Sequence, residues 1–128
     1  MKHIASKEEA PSFRKVLGFV IAHYQDENNW LQGAPSNDNG SRRCLGFNIL
    51  CGITGSGPEA GDQVSVDREV TNAFLSQLQP FYPEKYRTGD AREMTAAFND
   101  DPETTIDTVR GVLAAALNSL PPEDEAVN

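Results

Sequence analysis

Residues 43–53, RCLGFNILCGI, constrain this chain more than any other stretch. Wrapped on a helical wheel, they are apolar around the whole circumference, and a helix without a polar face must be covered on all sides. The segment therefore predicts a central helix with other elements packed around it. A short apolar run is also compatible with a buried strand, so the neighbouring patterns have to arbitrate. On the helical reading Cys44, Asn48 and Cys51 share a stripe, and Asn48 needs hydrogen-bond partners in the core.

The neighbours are helical in period. Phe13, Val16, Leu17, Val20, Ile21 and Tyr24 recur at helical offsets after Pro11 and Ser12, with Phe19 and His23 on the flank. Ser65 is expected to cap a helix running to about Gln79, with Val66, Val70, Phe74 and Leu78 inward and Asp67 and Glu69 near its positive end. Pro80 and Pro83 stop it, and Phe81, Tyr82 and Tyr86 cover the core edge. Asp90-x-x-Glu93 has the form of a capping box opening a short helix through Met94, Ala97 and Phe98. After the break at Asn99–Pro102, Thr104 or Thr105 caps a last helix with Ile106, Val109, Leu113, Ala116, Leu117 and Leu120 on its stripe.

These patterns predict an all-α fold: one compact domain of about five helices, with long loops rich in glycine and asparagine and no strand. Its 128 residues and 14.0 kDa suit a single core. The domain is expected over 1–120, with residues 121–128 an acidic disordered tail. No apolar run reaches the ~20 residues of a membrane span, and residues 1–15 lack the apolar stretch of a secretory signal. A cytoplasmic protein with no membrane association is expected.

Nineteen acids against eleven bases give a net charge of −8. Residues 84–128 hold ten of the acids and only four of the bases. Such a surface repels a phosphate backbone, which argues against direct nucleic-acid binding. It serves either as a solvated, solubilising face or as a docking face for a basic protein partner. Asp90, Glu93, Asp100, Asp101, Glu103 and Asp107 are the carboxylates of that candidate face. With two cysteines and two distant histidines, no metal-ligand spacing appears, and no metal or cofactor is expected. Asn37–Gly40 lacks the carboxylate positions of a calcium loop. The glycines of 52–61 are not followed by the Lys-Ser or Lys-Thr pair of a phosphate loop.

Three islands stand out: Trp30, Gln32, Gly33 and Ala34; Cys44 at the head of the apolar helix; and Phe98-Asn99-Asp100-Asp101-Pro102 followed by Thr105. Together they resemble a family of small uncharacterised proteins from actinobacteria and their phages. Its members read W-x-Q-G-A, then a helix-opening cysteine, then W-N-D-x-P and a threonine-capped helix, over a span matching about residues 13–120. Phe98 stands where the family has tryptophan. Phe47 occupies the place of a glycine three residues after the cysteine, with Gly46 one earlier, which leaves the packing of that helix open. The resemblance implies an architecture and noteworthy positions, but no activity.

Physically the islands admit two readings. Trp30 anchors a loop, Gln32 and Asn99 bond backbone, and Gly33 takes a turn conformation closed to other residues. Alternatively, loops 30–40 and 99–104 meet beside Cys44 and form a polar pocket. Three functions follow. The leading expectation is a non-enzymatic acidic accessory protein that binds and modulates a larger protein, with phage-type inhibition of host nucleic-acid-binding machinery as one form. Its candidate binding residues are Trp30, Gln32, Gly33, Cys44, Asn99, Asp100, Asp101 and Glu103. The second is a thiol enzyme with Cys44 as nucleophile, its thiolate favoured by the helix dipole and by Arg42 and Arg43, and His23 as base. The third is a small-molecule-binding or purely structural module. Oligomeric state is not legible.

Overall fold

The computed structural model describes residues 2–38, 40–55, 57, 64–87 and 89–121. Residues 122–128 of the expected 121–128 tail, Asn39 of the rejected calcium loop, and residues 56 and 58–61 of the 52–61 glycine loop lie outside the described residues. Among the described residues five α-helices make the body: α1 (Phe13–His23), α2 (Leu45–Thr54), α3 (Arg68–Leu78), α4 (Ala91–Asp100) and α5 (Ile106–Asn118). Short 3-10 turns cover Glu27–Asn29, Gln79–Phe81 and Glu84–Tyr86. The domain is mostly helical, as the periodicity predicts.

Two three-residue strands were not expected. β1 (Lys2–Ile4) and β2 (Val64–Val66) pair in parallel. This corrects the reading of Ser65 as a helix cap: Ser65 sits in β2, and α3 begins only after Asp67. Strands of three residues are too short to display an alternation against the helical period that follows them.

α2 is central. It packs against α1, α3, α4 and both strands, and Leu45, Asn48, Ile49, Cys51, Gly52, Ile53 and Thr54 are buried. Gly52 admits α1: a Cβ there would come within 3.1 Å of Val16 Cγ1 and 3.3 Å of the Val16 carbonyl oxygen. Phe19, read as flanking, also leans on this contact, 3.4 Å from the same point. The core gathers Val16, Leu17, Val20 and Tyr24 of the first helical run with Ile49, Phe74, Leu78, Phe98, Val109 and Leu113. One expectation for α2 fails. Gly46, Phe47 and Leu50, on one stripe, are only half-buried, so the helix is not covered on every side.

The helix ends follow local chemistry. Ser12, Cys44, Asp90 and Thr105 side chains accept amide hydrogens of the first turns they precede. Asp90 accepts from Arg92 N–H, one residue short of the Glu93 amide that a capping box uses. α2 ends at Gly55 with φ +78°, a left-handed position that glycine alone takes without strain.

Candidate functional site

Phe98 fixes the end of α4. Its ring stacks on Tyr82 at 4.6 Å and meets Tyr86 edge-on at 5.5 Å, while the Tyr82 hydroxyl lies 2.8 Å from Thr95 Oγ1. Held this way, the end of α4 and the residue after it present Asn99, Asp100 and Asp101 to the loop that starts at Trp30. The first and third islands meet there, although about seventy residues separate them.

Asn99 is the centre of the contact. Its Oδ1 accepts from Trp30 Nε1 at 2.6 Å and from the Leu45 amide at 3.0 Å; its Nδ2 donates to Leu31 O and to Asp100 Oδ1, both at 2.9 Å. Two acceptor sites and two donors are all that an amide side chain offers, and all four are engaged. Gln32 Nε2 donates to the Asn99 and Asp101 carbonyls, each at 2.9 Å. The Gly33 amide donates to Asp100 Oδ1 at 2.9 Å, with Gly33 at φ +87°. Through the Leu45 amide this clasp also grips the first turn of α2, beside Cys44.

Asp101 closes the other side. The Tyr86 hydroxyl donates to Asp101 Oδ2, Lys85 Nζ lies 3.1 Å from the same oxygen, and the Glu103 amide donates to Oδ1 at 2.9 Å. These donors, the Tyr86 hydroxyl foremost, hold the Asp101 carboxyl down at about 2. Glu103 itself is 86% exposed and only 3.8 Å from Lys85.

A residue expected to favour the Cys44 thiolate instead ties the loop to α2. Arg43 is fully buried and donates to Gly40 O at 2.7 Å and to Asn48 Oδ1 at 3.1 Å; Asn48 Nδ2 stays without a hydrogen bond among the described residues, so the core meets only half of what Asn48 needs. The Arg43 backbone accepts from Tyr24 Oη at 2.8 Å and bonds Asn29 and Leu31. The available signal was a charged residue at the mouth of an otherwise apolar run.

Cys44 does open α2: its Sγ accepts from the Phe47 amide at 3.4 Å. Burial pushes its thiol up, against the direction a nucleophile needs. Cys44 lines a groove of about 650 Å³ with Phe47, Leu50 and Leu75, whose lining includes none of Trp30, Gln32 or Asn99. The islands thus meet near Cys44 as a mutually bonded clasp, and the opening that Cys44 borders is a separate feature. Among the described residues no cluster of histidine, cysteine and carboxylates could hold a metal ion, and no helix is long and apolar enough to cross a membrane.

A family of unknown function, DUF6197, matches residues 19–119. The chain belongs to it. No curated protein and no solved structure matches the chain. The DUF6197 match contains the whole clasp, from Trp30 to Glu103, and leaves β1 outside. Within it, Gly46 stands opposite α4, 3.8 Å from Thr95 Cγ2 when given a Cβ, while Phe47 borders the groove.

Proposed function

We propose that this DUF6197 protein is a non-enzymatic accessory protein that docks on a larger, basic protein and modulates it. One observation supports this reading above others. The clasp engages its polar groups internally, whereas the helices and turns around it carry carboxylates outward: Glu103 and Asp107 are 86% and 88% exposed, and Glu84, Asp90 and Glu93 are exposed as well. An acidic surface of this kind steers and orients a basic partner. The resemblance to actinobacterial and phage proteins narrows the proposal to inhibitors of host nucleic-acid-binding machinery, acting in the cytoplasm. Carboxylates there compete with the phosphate backbone for a basic site. The thiol-enzyme alternative has less support, because Cys44 is held protonated by burial and the neighbouring Arg43 is directed at Gly40 and Asn48.

Charge reversal tests the proposal. Asp101 is a poor choice for it, since the carboxylate holds Tyr86 and Lys85 in place. Glu84→Lys with Glu103→Lys alters exposed positions only. Capture of host proteins should weaken in this variant at unchanged melting temperature, and should weaken for the wild type as salt rises from about 50 to about 300 mM. A partner retained equally by the variant and at high salt would sink the electrostatic reading.

A further inference from the structure

Arg68 holds the first position of α3 and Arg92 the second position of α4. Both places disfavour a cation, because the amide end of a helix carries partial positive charge. Arg14, Arg43, Arg87 and Arg110 each donate to a backbone carbonyl. Arg68 and Arg92 make no such bond and no ion pair among the described residues, in a chain where acids outnumber bases nineteen to eleven. Both line the groove of about 650 Å³ that the bare stripe of α2 forms with α3 and α4.

The rest of that lining is apolar or already bonded. Phe47, Leu50, Val66 and Leu75 supply hydrocarbon. The two threonine hydroxyls are turned to their own helices, Thr71 to Asp67 O at 3.3 Å and Thr95 to Ala91 O at 2.7 Å. Among the described residues the groove therefore combines an apolar trough with two cations and no carboxylate, the reverse of the surface around it.

We propose that this groove binds a small organic carboxylate with an apolar tail, the carboxylate held between Arg68 and Arg92 and the tail along Phe47, Leu50 and Leu75. Guanidinium presents a planar fork that matches carboxylate geometry, and bonds between the two are charge-assisted. The volume falls within the range of roughly 300–1,000 Å³ usual for small-ligand sites. Charge complementarity selects the occupant: an alkylammonium would face both arginines, and a neutral alcohol would leave them as they are. The groove shares no lining residue with the clasp or its acidic rim, so this inference stands apart from the docking proposal.

Octanoate, octanol and octylamine, titrated into the full chain, give three heads on one tail length. Calorimetry reads affinity, and the methyl resonances of Leu50, Val66 and Leu75 report location. Octanoate should bind saturably and shift those methyls, while octylamine should not. Arg68→Gln with Arg92→Gln should weaken octanoate by about tenfold or more with the melt unchanged. Ala96→Trp, at an exposed position on the groove wall, should block binding. No saturable binding, equal binding of octylamine, unchanged affinity in the double glutamine variant or shifts confined to residues away from the groove would each overturn the proposal. So would an acidic peptide that occupies the groove when octanoate does not.

Discussion

The clasp and the groove both border the first turn of α2, and they differ in how completely their polar groups are paired. At the clasp Asn99 fills every hydrogen-bonding position, and Trp30, Gln32, Gly33 and Asp100 are tied to it or its neighbours. In the groove two guanidiniums face an apolar trough without acceptors among the described residues. Short motifs with unusual residues invite a functional reading, yet here they build the saturated region. The open valences sit on two arginines with no motif around them. Damage at the clasp should therefore appear as lost stability, and damage at the groove as lost binding.

Asn99→Ala should cost the most, about 3–4 kcal/mol. It strands the buried Leu45 amide and the Trp30 indole together, and removing one member of a network leaves the others unsatisfied. Denaturant unfolding measures this, and a midpoint within error of wild type would dissolve the contrast between the two regions. Trp30 divides the effect further. It is half-buried, so Trp30→Ala should lose about 2–3 kcal/mol, below the ~3–5 of a fully packed tryptophan. Trp30→Phe keeps an aromatic ring on the loop and loses the N–H donor with part of the indole, so about 1 kcal/mol or somewhat more should go.

Acid sharpens the comparison from the Asp101 side. The folded carboxyl titrates at about 2, below its ordinary 3.8, so its contribution is complete above about pH 4. That contribution fades as pH falls through about 2. Melting temperatures followed from pH 5 to pH 2 should drop, and Asp101→Asn should drop less over that window. Parallel curves would mean that Asp101 is not the group responsible. The smallest effect belongs to the groove: Arg68→Gln with Arg92→Gln should move stability by less than about 0.5 kcal/mol, because both are exposed first-turn cations. A loss of several kcal/mol in that variant would make the arginines structural and erase the distinction.

Much of this was legible in the residues. The helical offsets from Phe13 to Tyr24 and from Ile106 to Leu120 predict α1 and α5, and the unbroken apolar run predicts a central α2. Periodicity reports what a helix needs to cover, but it does not say whether the chain itself supplies the cover. Hence Gly46, Phe47 and Leu50 read as core and stand half-bare. The islands were visible as islands. Their bonding was not, because a hydrogen bond between Trp30 and Asn99 leaves no trace in the spacing of residues so far apart. Arg43 reads as a support for the Cys44 thiolate for a related reason: its charge has no visible partner in the sequence, and only the folded loop shows the carbonyl of Gly40 awaiting it.

The small parallel sheet has a bearing on the order in which the molecule assembles. Lys2 lies opposite Val64 and Ile4 opposite Val66, so α1, α2 and the loops around them all intervene between the paired strands. Parallel partners of this kind cannot zip up from a turn. Their meeting waits on a long closure whose entropy must be met before the contact offers anything in return. During synthesis α1 and α2 can already nest at Gly52 while residues 2–4 have nothing to pair with. Of the segments described, the earliest made is thus among the last fastened, and its three residues act as a seal on a helical body already largely in place.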